Sequence, residues 1–255
     1  MQAEKIQELN LKSYDRAEIL FENSDFAIVY KPANMPTAPL RENEAGTLLA
    51  FFLEKRPQAK SVRSAKKIIE HGLLHRLDTA TSGLVLIAKT QNAYDALFNI
   101  QEKNLLYKNY FAFCSVAKNH AKLNTLQTPF EIATKFRPYG VGGKKVKPVL
   151  LNSKEAKRTK GRVYTSTIIS LSKPEIVCQN NSCVSAKVQL SKGYRHQVRS
   201  HLSFLGLPIF GDALYNPNPK LSRLQLFAVE IILPENIFTR SGATIGFRIM
   251  NQVSL

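Results

Sequence analysis

Apolar positions recur along this chain with two different periods. In "AEILFENSDFAIVYKP" an apolar run, a polar turn over 22–25 and a second apolar run over 27–30 predict two strands, closed by Lys31 and Pro32. "GTLLAFFLEKRP" keeps its apolar residues on one helical face and stops before Pro57. "SVRSAKKIIEHG" predicts another short helix, ending at Gly72. From Gly83, "GLVLIAKT" has the length and composition of a buried strand, and "NAYDALFNIQEKN" spaces Tyr94, Leu97, Phe98 and Gln101 as a helix does. "KNYFAFCSV" alternates Tyr110, Ala112 and Cys114 with Phe111, Phe113 and Ser115, the period of a strand. Strands are also predicted in "VYTSTIISL", "CVSAKVQLS" and "LQLFAVEIILP". Between the last two, "RHQVRSHLSFLG" places Val198, Leu202 and Leu205 at helical spacing and ends at Gly206.

Strands outnumber helices, and the helices fall between them irregularly. That order predicts an α+β fold, a mixed and largely antiparallel central sheet with flanking helices. No repeat, low-complexity tract or linker divides the chain, which reads as an N-terminal extension over 1–15 and a single domain over 16–255. Residues 135–162 stand apart. There "KFRPYGVGGKKVKPVLLNSKEAKRTKGR" sets many lysines and arginines against Glu155 alone, and with Gly140, Gly142 and Gly143 it reads as a basic loop.

Charge sharpens the picture. Among 255 residues, 36 Lys and Arg face 19 Asp and Glu, giving +17 at pH 7 and a pI near 9.9. An excess of that size favours a polyanionic partner, foremost nucleic acid. An anionic membrane surface is the competing partner, but no basic amphipathic helix carries bulky apolar residues opposite its charges. No apolar run approaches the ~20 residues that span a bilayer. "MQAEKIQELNLKSYDR" lacks an apolar leader core, so a secretory signal is not expected. Cys114, Cys178 and Cys183 show no C-x-x-C pairing, which points to free thiols in the reducing cytoplasm.

Three stretches carry polar groups in apolar surroundings: "HRLDTATSG" at 75–83, "KNY" at 108–110 and "GYRHQVRSHLSFLGLPIFGDALY" at 193–215. Asp78 alone, between Arg76 and the pair Thr81-Ser82, reads as a turn residue before a strand. A metal site would draw on His71, His75, Asp78, His196 and His201. Gly72 argues against a helix joining His71 to His75, and five helical residues place His196 and His201 about 140° apart. No metal is expected there.

Together, the stretches resemble a known family. "HRLDTATSGLVLIAKT" is similar to the H-R-L-D-x-x-T-S-G-L element of the RluA-type pseudouridine synthases, and "KNYFAF" to that family's K-x-Y strand. "GYRHQVRSHLSFLGLPIFGDALY" resembles its G-R-T-H-Q-I-R-x-H-L-x-x-x-G-x-P-I-x-G-D-x-x-Y element, and "AIVYKPANMPT" its opening K-P-x-G-x-P segment. The four occur in the family's order.

The resemblance implies the pseudouridine synthase fold with a central RNA-binding cleft, and an isomerase that needs no cofactor. It implies Asp78 as the carboxylate acting at the ribose, Tyr110 as the phenol on the base and Arg199 as the cation beside Asp78. Arg76 corresponds to the arginine that fills the space of the flipped nucleotide. Lys144, Lys145, Lys147 and Arg195 are expected to bind RNA, ribosomal or transfer. His75, Thr81, His196, Gln197 and Lys31 are expected to support the site, and Asp212 and Tyr215 to form a structural turn.

The chain departs from the pattern at Tyr194-Arg195, where the family has a basic residue and Thr, and at Asn34, where Gly is usual. Too few residues precede the first strand for an S4-type RNA-binding domain, so RNA affinity is expected to come from the catalytic domain, acting as a monomer without an obligate protein partner. A non-catalytic RNA-binding protein on the same fold and a metal-dependent nuclease are the rival readings.

Overall fold

The computed structural model describes residues 5–116, 127–173, 175–178, 181–234 and 244–249. The chain divides into two compact units, Met1–Lys108 with Ala228–Val253, and Asn109–Phe227 with the terminal pair Ser254–Leu255. The first unit opens with β1 (Lys5–Leu9), β2 (Glu18–Glu22), β3 (Phe26–Lys31), α1 (Leu48–Lys55), β4 (Ser82–Ala88) and α2 (Gln91–Glu102). Strand β5 (Tyr107–Ser115) leads into the second unit, followed by β6 (Phe130–Tyr139), β7 (Lys145–Leu150), α3 (Lys154–Arg158), β8 (Tyr164–Leu171), β9 (Glu175–Cys178), β10 (Asn181–Leu190) and α4 (Gln197–Phe204). The chain returns through β11 (Leu226–Pro234) to β12 (Thr244–Ile249). The crossings at Lys108–Asn109 and Phe227–Ala228 fall inside β5 and β11, with no linker at either.

In the first unit the strands run β2-β3-β4-β11-β12, antiparallel from β2 to β4 and between β11 and β12, and β1 adds to β12 in parallel. Strand β1 thus lies within the stretch that the sequence sets aside as an extension. The register places Ile28 opposite Leu86 and Tyr30 opposite Leu84. With Phe26 and Ala88 these residues meet Tyr94 and Leu97 of α2 and Phe247 and Ile249 of β12 in one core. Each large side chain buried there stabilises by roughly 1.5–3 kcal/mol. Thr47 and Thr90 cap α1 and α2 by accepting from Ala50 N and Ala93 N.

The short helix predicted to end at Gly72 is not formed. Residues 62–74 instead run irregularly around a 3-10 turn at Ile68–Glu70. The Tyr94 hydroxyl accepts Ala65 N–H at 2.9 Å, and Gly72 O and Leu74 N bond to Ala88 N and Leu86 O of β4 at 2.8 and 3.2 Å. Gly72 is required for that approach, since a Cβ would lie 2.0 Å from Ala88 O. Tertiary bonds have overridden helix propensity here.

In the second unit the order is β5-β10-β8-β6-β7, with β9 on the margin of β10. Pairings of β8 with β10, β6 with β8, β6 with β7 and β9 with β10 are all antiparallel. The fold is therefore α+β with largely antiparallel sheets and few helices, as the strand pattern predicts.

The reading of 135–162 as a loop is corrected. Most of it is the β6–β7 hairpin followed by α3. Phe136 and Val146 are buried on one side of the hairpin, and Lys135, Arg137, Lys145 and Lys147 lie on the other, where Val149 opposite Lys135 is buried as well. Lys135 Nζ donates to Ala156 O and Thr159 O at the end of α3, and Glu155 accepts ion pairs from Arg137 at 2.7 Å and Lys147 at 3.1 Å. The density of charge hides a strand period whose apolar half is short.

Among the described residues no helix is long and apolar enough to cross a membrane. Cys114 and Cys183 are buried free thiols, and the Cys178 side chain lies outside the described residues.

Candidate active site

Asp78 sits in a loop of the first unit that its neighbours hold on both sides. Its own carbonyl accepts Thr81 N–H at 3.0 Å, so the turn that the sequence suggests is present, and Thr81 is buried. One residue earlier, Thr37 Oγ1 donates to Leu77 O at 2.8 Å and accepts Leu77 N–H at 3.1 Å. One residue later, the fully buried Lys31 Nζ donates to Thr79 O at 3.1 Å, and also to Pro32 O and Met35 O at 2.8 and 2.7 Å. A single hydroxyl and a single ammonium thereby fix the peptides flanking Asp78. Its side chain is half-buried. Asn34, in the segment that Lys31 ties down, takes a φ of 63°, the left-handed region that Gly would otherwise serve.

His75 is buried beneath the same loop. Its Nε2 accepts Leu86 N–H at 3.2 Å, which leaves the proton on Nδ1, an atom with no hydrogen-bond partner among the described residues. Burial, then the charges of Lys108 and Lys66, hold its pKa well below the ordinary imidazole range. Burial, then Lys66, likewise brings the Lys108 ammonium down to about 7. Arg76 points outward, 57% exposed, and pairs with Glu70 at 3.3 Å. After the turn, Gly83 at φ 129° lets β4 approach β11: a Cβ there would meet the Ala228 backbone at 2.3–2.7 Å.

Tyr110 and Arg199 belong to the second unit. Tyr110 is buried on β5 at 8% exposure, next to Asn109, whose Oδ1 accepts from Gln189 Nε2 at 2.9 Å. Helix α4 is preceded by His196, which adopts φ 56°. Gln197 anchors that start: Oε1 accepts Tyr194 N–H at 2.9 Å, and Nε2 donates to Thr165 O and Ser166 Oγ at 3.0 Å. One turn inside the helix, Arg199 forms a buried fork on Asp212, with Nε and Nη2 each 2.8 Å from a carboxylate oxygen, and its guanidinium lies 5.3 Å from the Tyr215 ring centre. Asp212 Oδ1 also accepts Leu214 N–H and Tyr215 N–H. The turn read as structural therefore positions Arg199 directly.

The Tyr215 hydroxyl accepts Val146 N–H at 2.8 Å and sits 3.1 Å from His196 Nδ1. His201 is locked between Thr134 Oγ1 and Ser166 Oγ, both at 2.8 Å, and burial lowers its pKa to about 4. Among the described residues no group of three or more His, Cys, Asp or Glu is arranged to hold a metal ion.

Of the residues expected to bind RNA, Lys144 is exposed at the hairpin turn, Lys145 is half-buried, and Lys147 is shared with Glu155. Arg195 is exposed, yet its Nη2 donates to Gly143 O at 2.6 Å and so ties α4's approach to the same turn. Tyr194, the departure from the family pattern, stacks on Phe136 with ring centres 4.9 Å apart and planes at 6°. It serves packing under the hairpin. Thr37 and Glu70 are absent from the sequence reading because their partners lie 40 and 6 residues away in irregular chain, where no period announces them.

The architecture is that of pseudouridine synthase domains. The human protein RNA Pseudouridylate Synthase Domain Containing 1 matches over 88% of this chain and 81% of its own, with a TM-score of 0.62 at 17% identity, a likeness of fold. The RNA pseudouridylate synthase family model matches residues 25–204, and the chain belongs to that family. It is similar to the uncharacterized RNA pseudouridine synthase YhcT of Bacillus subtilis (strain 168), 27% identical across 84% of this chain and 63% of that protein. It is similar also to the ribosomal large subunit pseudouridine synthase D of Haemophilus ducreyi, 27% identical across 79% of this chain and 53% of that protein. The chain thus spans less than two thirds of the length of these relatives.

Proposed function

We propose that the chain is an RNA pseudouridine synthase that isomerises a specific uridine in structured RNA. In this reading the target nucleotide flips out of its stack. Asp78 acts at the ribose, either by attack at C1′ or by removing the C2′ proton. The C1′–N1 bond breaks with its electron pair on the uracil, the base turns, and C5 bonds to C1′, which releases the Asp78 carboxylate in the first route or goes with return of the proton to C2′ in the second. The C5 proton is taken by the Tyr110 oxygen acting as base, and N1 takes up a proton, so that the product is an isomer of the substrate. Arg199 is the cation that keeps the carboxylate ionised, and the buried Leu77 helps exclude water. Bond breaking and bond making balance without a change of oxidation state, so no cofactor is needed.

Lys144, Lys145, Lys147 and Arg195 supply electrostatic affinity in the implied RNA-binding cleft, and His75, Thr81, His196 and Gln197 support the site. Residues 16–255 act as one catalytic domain, a monomer working in the cytoplasm. Ribosomal and transfer RNA are both candidate substrates, the former favoured by the name of the Haemophilus relative.

The observation that carries this reading is the Asp78 loop, a half-open carboxylate whose flanking peptides are bound by Thr37 and Lys31. Purified protein is expected to release tritium from RNA labelled at uridine C5, in the presence of a chelator and without shortening the RNA. Asp78→Asn should abolish release while RNA binding persists. Release at the wild-type rate in that variant overturns the assignment. A protein that binds RNA and never releases tritium is instead the non-catalytic binder.

A further inference from the structure

The ion pair between Arg76 and Glu70 is lopsided. Arg76 is 57% exposed, whereas the Glu70 side chain is 4% exposed. A carboxylate buried to that degree needs a compensating charge. Glu70 ends the 3-10 turn Ile68–Glu70, and its Oε1 receives Arg76 Nη1 at 3.3 Å. The second nearby cation is Lys66, whose Nζ is fixed on Leu74 O at 2.8 Å. Burial lowers the Lys66 pKa; Glu70 pulls it back up, Arg76 pushes it down, and Glu102 raises it. Glu70 therefore has the exposed Arg76 guanidinium as its ion-pair partner and the anchored Lys66 ammonium in its neighbourhood.

We propose that Glu70 is a positioning residue that parks Arg76 on the protein and surrenders it to RNA when the target nucleotide leaves its stack, with Lys66 remaining as the counter-charge. This rests on the synthase reading above and on Arg76 as the side chain entering the vacated space. The departure of Arg76 removes a like charge from the neighbourhood of Lys66, so the Lys66–Glu70 attraction is left unopposed. On handover the buried carboxylate keeps the Lys66 ammonium in its neighbourhood. In RNA the guanidinium gains stacking and phosphate contacts in place of the carboxylate.

The test uses the full chain and the reagent p-hydroxyphenylglyoxal, which adds to guanidinium groups, with adducts at Arg76 quantified by peptide mass spectrometry. The exposed Arg158 serves as internal reference. Without RNA, Glu70→Gln is expected to raise the Arg76 rate relative to Arg158 by about two- to fivefold, the range set by an exposed ion pair of up to ~1 kcal/mol. Glu70→Asp, which withdraws the carboxylate by one methylene, should move the rate the same way and serves if Glu70→Gln does not fold. Unchanged rates in a folded variant overturn the parking contact. A transcript of large-subunit ribosomal RNA should then protect Arg76 in the wild type. RNA that binds and leaves Arg76 equally reactive overturns the handover. Failure to bind either that transcript or bulk transfer RNA would sink the synthase reading and leave the comparison without RNA standing.

Discussion

Thr37→Val removes one oxygen from a side chain that is 3% exposed and leaves its shape nearly intact. That oxygen makes two hydrogen bonds, at 2.8 and 3.1 Å, to the carbonyl and amide of Leu77. A buried polar group left without its partner costs about 1–3 kcal/mol, and two are orphaned here. The next residue is half-exposed, so the loop can turn partly toward water, which brings the expected loss of stability to about 2 kcal/mol. For a chain of this size that lowers the melting temperature by about 4–8 °C. The larger effect falls on chemistry. Relaxation of Leu77 displaces Asp78, and a misplacement of about 1 Å can cost about a hundredfold in rate. Single-turnover tritium release should therefore slow by one to two orders of magnitude, on the order expected for such a shift, at unchanged RNA affinity. Thr37→Ser, which keeps the hydroxyl, should recover most of the rate. A Val variant with wild-type turnover, or a Ser variant as slow as Val, would refute the claim that this hydroxyl positions the reacting carboxylate.

Asp212→Asn should destabilise the protein by about 3 kcal/mol in urea denaturation, because it leaves the buried Arg199 without its charge partner. Lys144→Gln should weaken RNA binding and reduce the slope of log affinity against log salt by about one, whereas Lys135→Met should lower stability through the lost contacts to α3 and leave that slope closer to wild type. His201 has its folded pKa depressed to about 4, so the unfolded chain takes up a proton first as pH falls. Its contribution is intact above about 6.5, the ordinary imidazole value, and is lost as pH falls toward 4; His201→Gln should flatten that limb of the stability profile.

Elements with a clear period are legible in the sequence: β3, β4, α2 and β5 fall where alternation or helical spacing places them. The β6–β7 hairpin is not, because Lys135, Arg137, Lys145 and Lys147 occupy every second position and read as solvated charge, while few apolar residues, Phe136 and Val146 among them, alternate with them. Strand β1 escapes for a related reason. Only Leu9 of its five residues is buried, so no alternation shows. Around the site, the polar cluster at Asp78 announced itself locally. The groups that hold it did not: Lys31 and Thr37 act across 48 and 40 residues, and Asp212 meets Arg199 across a helix and a turn. Local sequence displays the proposed reacting group, and tertiary structure supplies its restraints.

The most direct test maps pseudouridine across all RNA in cells lacking this gene, and in the same cells carrying either the wild-type gene or Asp78→Asn at equal protein levels. At least one position should lose its pseudouridine, regain it with the wild type and stay unmodified with Asp78→Asn. Restoration by Asp78→Asn would contradict the central claim.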